Sequence, residues 1–142
     1  GETQPALTVD LERLASQVAS SALALSLQVD SLGAFPSLER ARVLWAGGET
    51  PDAFSRLVEA LERGLADLGF PREPKPPLAH VTVARLKGAA DPHLARVVAA
   101  IGRLEVEPCD PRSIVLMQSD LGPRGAQYTP LFTVPLGRRD GA

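Results

Sequence analysis

The 142-residue sequence predicts an α+β protein. Apolar residues at helical spacing alternate along the chain with short segments of alternating apolar and polar residues, and capping or turn residues separate these segments. The predicted order is α-β-β-α-β-α-β-β-β, which fits sheets with flanking helices. Apolar and charged contents of 44% and 23% are ordinary for a folded protein, so we expect one domain, residues 1–142, of two small lobes.

The first third of the chain predicts a helix, a strand, a loop and a second strand. Apolar residues spaced by three and four place one stripe on a helix over residues 5–20. Residues 22–29 (ALALSLQV) alternate, which is typical of a half-buried strand. Residues 30–37 contain a glycine and a proline and predict a loop, and residues 40–46 predict the second strand.

Clear capping signals delimit the second predicted helix. Thr50 is the expected N-cap, Pro51 occupies the first helical position, and Gly69 is the expected C-terminal cap. The proline-rich residues 71–77 are expected to be extended. The apolar stripe of this helix consists of Phe54, Leu57, Val58, Leu61, Leu65 and Leu68.

The second half of the chain predicts one helix and four strands. Residues 80–86 predict a strand, and residues 104–106, 113–118 and 131–134 predict three more, with a glycine-containing turn before the last. A helix begins near Asp91 and Pro92, and its expected buried side carries Leu94, Val97, Val98 and Ile101.

Charge and cysteine content exclude several classes of function. The net charge of −2 argues against a long nucleic-acid interface, so an RNA substrate would be contacted at about one terminal nucleotide. The single cysteine, Cys109, excludes an intramolecular disulfide, and we expect neither a metal site nor a cofactor. No apolar run of membrane-spanning length and no signal peptide is visible, so we expect a cytoplasmic protein that does not bind membranes.

Residues 80–83 (HVTV) are the segment best suited to chemistry. On a strand His80 and Thr82 share one face, while the two valines share the other and could anchor the strand to a core. Imidazole can give or take a proton at neutral pH, and a hydroxyl can donate to a phosphate oxygen. Arg85 could add positive charge, but it shares this face only if the strand twists or bulges near Ala84. Taken alone, the pattern also suits a structural strand.

Segments on both sides of this motif resemble the two-histidine phosphoesterase superfamily, and within it the RNA 2',3'-cyclic phosphodiesterases, formerly called 2'-5' RNA ligases. The family motif H-x-T-[hydrophobic]-x-R matches residues 80–85, although the preceding residue, Ala79, is usually proline in the family. The other similar segments are residues 33–36 (GAFP), 42–47 (RVLWAG), 68–70 (LGF), 116–121 (LMQSDL), 125–128 (GAQY) and 134–136 (VPL).

The resemblance implies a two-lobed, internally duplicated fold of antiparallel sheets with flanking helices, in which each lobe carries one motif. The only other histidine, His93, begins a helix without a following threonine and is interpreted as a solvated residue. In the family, a strand ending in F-L-G-E-T follows the first motif. Gly1-Glu2-Thr3 therefore implies that the first strands and the first motif are missing from this chain, and the absence of an initiator Met agrees.

The activity that the resemblance implies is metal-independent hydrolysis of an RNA terminal 2',3'-cyclic phosphate to a 2'-phosphate by two histidines. His80 would be one of the acid–base pair, Thr82 would hold a non-bridging oxygen, and Arg85 would bind substrate and neutralise charge. Gln118 and Tyr128 are further candidates for substrate binding, with a structural role equally open. The implied partner is an RNA 3' end or a nucleoside 2',3'-cyclic phosphate.

Two alternatives and several expectations accompany this hypothesis. The chain could be a nucleotide- or RNA-end-binding module that does not catalyse, or an α+β domain in which His80 is incidental. We expect the intact protein to be monomeric, and this chain alone to be inactive and prone to associate. Trp45 is predicted to lie in the core, with nucleobase stacking as the alternative, and Phe35 is predicted to anchor a loop.

Overall fold

The computed structural model describes residues 5–137, so the prediction about Gly1-Glu2-Thr3 lies outside the described residues. The elements are α1 (Pro5–Ser20), β1 (Ser31–Phe35), β2 (Val43–Gly47), α2 (Asp52–Asp67), β3 (His80–Arg85), α3 (Leu94–Ile101), β4 (Ser113–Gly122) and β5 (Gly125–Pro135). Both sheets are antiparallel, which confirms the α+β prediction. The chain divides into two compact units, described in turn below.

Unit 1 comprises residues 5–25, 53–76 and 111–137 and is built on the β4–β5 hairpin. Helix α1 packs on this hairpin through small residues: Ala15 and Ala19 are buried with Val134, and Ile114, Phe132 and Leu136 pack around them. The backbone N–H of Gly137 donates to the carbonyl oxygen of Ala19 at 2.8 Å, which satisfies one carbonyl at the C-terminal end of α1. The buried residues of α1 therefore belong to a hydrophobic cluster that the helix shares with the hairpin.

Helix α2 ends in the glycine cap that the sequence predicts. Gly69 has a φ of 93°, a conformation that glycine adopts without steric cost. The N–H of Phe70 donates to the Leu65 carbonyl at 3.0 Å, and the N–H of Gly69 donates to the Ala66 carbonyl at 3.0 Å. This pair of bonds is the Schellman motif, so the C-terminal cap is confirmed. Gly64 lies directly against Leu14 of α1, where a Cβ atom would overlap the leucine side chain.

Unit 2 comprises residues 26–52 and 77–110 and contains a three-stranded sheet in the order β1-β2-β3. β1 and β2 pair without interruption from Ser31↔Gly47 to Phe35↔Val43. The pairing of β2 with β3 shifts register between Leu44 and Trp45, which leaves Val83 as the extra residue of a β-bulge.

The first strand lies later in the sequence than the alternating pattern predicts. Residues 22–29 form no strand, and only Leu27 makes an isolated antiparallel bridge, to Cys109. Residues 31–35, predicted as a loop, pair with β2 instead. Alternation is a local property, whereas a strand also needs a partner, and the glycine that indicated a loop makes room for a bulky side chain on β2. Both predictions are therefore wrong.

Three further expectations are also wrong. Residues 104–106 form no strand. Val81 and Val83 are 59% and 57% exposed, so they do not anchor β3 to a core. Within the described residues, β3 lies at the edge of its sheet and pairs with β2 alone, so its side chains lose less accessible area. Val97 and Ile101 of α3 are likewise about half exposed, because an apolar stripe is buried only where another surface covers it.

Within residues 5–137, no helix has both the length and the apolar character needed to cross a bilayer.

Candidate active site

The bulge in β3 brings three predicted site residues to one face of the unit 2 sheet. β2 is regular, so Val43, Trp45 and Gly47 point to the same face, and residues directly opposite each other on neighbouring strands share a face. Their partners on β3 are Arg85, Thr82 and His80 respectively. Without the extra residue Val83, Arg85 would point away. The bulge that the position of Arg85 required is therefore present, one residue before Ala84.

The imidazole of His80 is held by a hydrogen bond to its own chain. Its Nδ1 lies 2.7 Å from the carbonyl oxygen of Leu78. A carbonyl can only accept, so Nδ1 carries the hydrogen and donates it. In the neutral ring Nε2 is then the unprotonated nitrogen, and it is the atom that can take up and release a proton. His80 is exposed to solvent, so this nitrogen is available to a substrate.

The residue before His80 is fixed by contacts from the neighbouring chain segment. The N–H of Ala79 donates to the hydroxyl oxygen of Thr50 at 3.2 Å. Gly47 lies opposite His80, and a Cβ atom on it would approach the Ala79 carbonyl oxygen to 2.8 Å. Helix α2 begins at Asp52, two residues after Thr50. The hydroxyl of Thr50, predicted to cap that helix, thus positions the start of β3.

Two aromatic rings surround His80 on the same face. The ring centroids of Phe35 and His80 are 5.3 Å apart at an interplanar angle of 87°, and those of Trp45 and His80 are 6.2 Å apart at 67°. Both are edge-to-face arrangements, which aromatic pairs favour. Phe35 and Trp45 also touch, at 5.5 Å. These contacts restrict the imidazole orientation, so both aromatic residues belong to the site.

Trp45 fills a space that two glycines leave open. A Cβ atom on Gly33 would overlap the six-membered part of the indole, and one on Gly47 would lie 3.1 Å from its Cζ3. The indole Nε1 is buried and has no hydrogen-bond partner among residues 5–137. Trp45 is half buried, so part of its side chain stays accessible on this face of the sheet. The sequence did not indicate Phe35 as a site residue. Residues 31, 33 and 35 share one face of a strand, so Phe35 would have been a candidate only if this segment had been predicted as a strand.

Arg42 supports the chain beyond the end of β3. Its Nη1 donates to the Gly88 carbonyl oxygen at 2.6 Å, and its own carbonyl accepts from the N–H of Leu86 at 2.9 Å. These bonds continue the β2–β3 pairing past Arg85, which keeps the backbone of that residue beside β2.

Gln118 and Tyr128 belong to the β4–β5 hairpin of unit 1. Gln118 pairs with Thr129, and Tyr128 pairs with Ser119. Adjacent positions on a strand alternate in direction, so the side chains of Gln118 and Tyr128 point to opposite faces of the hairpin. The two residues therefore cannot both line one surface of it. Their roles in substrate binding stay predictions.

The second histidine and the single cysteine both lie outside strands β1 to β5. His93 is the exposed N-cap residue of α3, and its side chain makes no capping hydrogen bond. Cys109 is an exposed free thiol. Across the described residues, no three His, Cys, Asp or Glu side chains converge where they could hold a metal ion.

Comparison with known proteins assigns the chain to a family. Residues 48–128, more than half of the chain, match the family model described as LigT like Phosphoesterase. An RNA 2',3'-cyclic phosphodiesterase of Aeropyrum pernix is 37% identical over 110 residues, which are 76% of this chain and 62% of that protein. The protein of the same name from Methanothermobacter thermautotrophicus is 32% identical over 104 residues, 72% of this chain and 56% of that protein. The chain thus spans less than two thirds of the length of these relatives.

The fold agrees with this match. The crystal structure of TT0787 of Thermus thermophilus superimposes with a TM-score of 0.72 and 26% identity, covering 98% of this chain and 75% of that one. The matched residues include the strand with His80, Thr82 and Arg85. The chain belongs to the family of LigT-like phosphoesterases.

Proposed function

We propose that the protein hydrolyses terminal 2',3'-cyclic phosphates of RNA to 2'-phosphates. One observation carries the proposal: the bulged pairing of β2 and β3 gathers an imidazole, a hydroxyl and a guanidinium on one face. A proton-exchanging nitrogen beside two hydrogen-bond donors suits transfer at a phosphate, because charge on the phosphoryl oxygens must be stabilised while protons move. The names of the two relatives support the same substrate class.

The proposed reaction is an in-line displacement at phosphorus. A water oxygen forms a bond to phosphorus while the bond to the ribose 3'-oxygen breaks, which leaves the phosphate on the 2'-oxygen. One imidazole takes a proton from the water, and the other gives a proton to the departing 3'-oxygen. Nε2 of His80 suits either role, because the hydrogen bond from Nδ1 to Leu78 exists in both protonation states.

The other two residues act on charge rather than on protons. The Thr82 side chain, about 7 Å from His80 along the strand, donates its hydroxyl hydrogen to a non-bridging oxygen. Arg85 neutralises the negative charge that grows on the phosphoryl group. This division of labour assigns no step to a metal ion. It does require a second imidazole besides His80, since His93 begins a helix. A second His-x-Thr segment in the complete gene product would supply it.

The test uses the full-length gene product and adenosine 2',3'-cyclic phosphate. We expect hydrolysis to 2'-AMP, identified by its chromatographic separation from 3'-AMP, at a rate that EDTA does not change. His80→Ala should lower the rate about 10²- to 10⁴-fold, the usual contribution of general acid–base catalysis. His93→Ala is the matched control and should retain the wild-type rate. A fully active His80→Ala variant would contradict the assignment.

A second candidate function, binding of a nucleotide or RNA end without catalysis, is favoured by one observation. His80 is the single imidazole on the described face, and hydrolysis by this mechanism needs two. A protein with this function would bind 2'-AMP without consuming any cyclic phosphate, so turnover by the full-length gene product decides between the two. The monomeric state and the cytoplasmic location stay predictions.

A further inference from the structure

We propose that Phe35 forms the subsite for the nucleobase of the terminal nucleotide, which stacks on the exposed part of its ring. The inference rests on the proposed function and adds the part of the substrate that is recognised beside the phosphate.

Phe35 lies beside the residues proposed to contact the phosphate. Phe35 pairs with Val43, and Val43 pairs with Arg85, so the three residues form one row across the sheet on the same face. The Phe35 ring also lies 5.3 Å from the imidazole of His80. It therefore borders the place where both His80 and Arg85 would contact a phosphate.

The side chain of Phe35 is accessible to a ligand. Phe35 and Trp45 are the only Phe, Tyr or Trp residues of unit 2, residues 26–52 and 77–110. Trp45 fits tightly against Gly33, and its Nε1 is buried. Trp45 is half buried, whereas Phe35 is 38% exposed and has the larger exposed fraction of the two. The Phe35 side chain is therefore the more accessible aromatic surface for a flat ligand at this site.

The shape of the substrate places its base close to its phosphate. In a nucleoside 2',3'-cyclic phosphate the phosphate is fused to the ribose that carries the base, so the base lies only one sugar away from phosphorus. A phosphate held by His80 and Arg85 thus brings the base within reach of a ring beside them. The net charge of −2 leaves little room for affinity from many phosphate contacts. Stacking on an aromatic ring is a source of affinity that does not need positive charge and tolerates every base.

The test compares two substrates of the full-length gene product. Adenosine 2',3'-cyclic phosphate carries a base, whereas glycerol 1,2-cyclic phosphate carries the same five-membered ring without one. The measured quantity is kcat/KM for the adenosine substrate divided by kcat/KM for the glycerol substrate. We expect Phe35→Leu to lower this ratio about 5- to 150-fold, the range that stacking of one base contributes. The loss should lie mainly in KM for the adenosine substrate. Phe35→Tyr, which keeps a stacking ring, should restore the ratio to within about twofold. Val97→Ala is the control, because Val97 is 51% exposed on α3, outside the sheet that carries Phe35 and His80, and it should leave the ratio at the wild-type value.

Two results would overturn the subsite. The first is an equal loss for both substrates in Phe35→Leu, which would show that the ring only orients His80. The second is an unchanged ratio. Binding measured by NMR titration keeps the subsite testable even if the protein hydrolyses nothing. Phe35→Leu should then weaken 2'-AMP much more than inorganic phosphate, and equal weakening of both would reject the subsite. Absent turnover refutes only the proposed function.

Discussion

Gly33→Ala tests the packing that holds the site together. Gly33 faces Trp45 across the β1–β2 pair, and a Cβ atom there would overlap the indole Cζ2 and lie 2.6 Å from Cε2 and Cη2. The φ angle of Gly33 is not in the left-handed region, so the backbone alone would accept alanine. Gly47 also lies close to the indole, because a Cβ atom on it would be 3.1 Å from Cζ3. Only the space requirement of Trp45 opposes the substitution.

Two opposing terms determine the expected change in the free energy of unfolding. Replacing glycine by alanine at a compatible backbone position stabilises a protein by about 0.4–1 kcal/mol through the unfolded chain. Forcing an extra methyl group into a filled space costs about 1–3 kcal/mol. At the midpoints of these ranges the cost prevails, and we expect Gly33→Ala to be about 1.3 kcal/mol less stable, which lowers the ratio of folded to unfolded protein about ninefold.

The measurement is urea unfolding followed by far-ultraviolet circular dichroism. Gly122→Ala is the matched control: its Cβ atom would meet only the Gly125 carbonyl oxygen, at 3.7 Å, so we expect wild-type stability or slightly more. In a double-mutant cycle, Trp45→Phe should recover part of the loss, because the smaller ring vacates space over Gly33. Equal stability of Gly33→Ala and wild type, with unchanged Trp45 fluorescence, would refute the reasoning.

Three further predictions concern the start of β3, the imidazole and the exposed hairpin. Thr50→Ala removes a hydrogen bond worth about 1 kcal/mol of stability and should lower kcat, whereas Thr50→Ser should retain both; equal kcat in the two variants would contradict the positioning role. Trp45 is the only tryptophan, and its ring lies 6.2 Å from that of His80, so His80→Gln should change the Trp45 fluorescence. His93→Gln should leave the fluorescence unchanged, and the reverse pattern would contradict the contact between Trp45 and His80. Leu121, 89% exposed on the hairpin, should promote association of the 142-residue chain, and Leu121→Lys should reduce the associated fraction in sedimentation velocity.

The helices were predictable because their signals are local. The N-terminal stripe, the proline after Thr50 and the glycine at 69 act within a few residues of themselves, and α1 and α2 lie where these signals indicate. The strands were predictable only in part. Residues 22–29 alternate better than residues 31–35, yet the latter form β1, because pairing with β2 is decided by residues far away in sequence. The prediction that Val81 is buried is wrong for the same reason. Valine has the apolar side chain that a core needs, but Val81 lies on an edge strand.

By itself, the sequence determined the α+β class, the strand with His80 and Thr82 on a common face, and the family. All three follow from residue chemistry, from the period of two along a strand, or from ordered motifs. Only the tertiary structure decided which other residues join them. The bulge at Val83 turns Arg85 to the site face, the hydrogen bond to Leu78 leaves Nε2 of His80 for proton exchange, and Phe35 lies beside the imidazole. These features depend on the register between strands, which is set by pairing over the whole sheet and leaves no local trace along the chain.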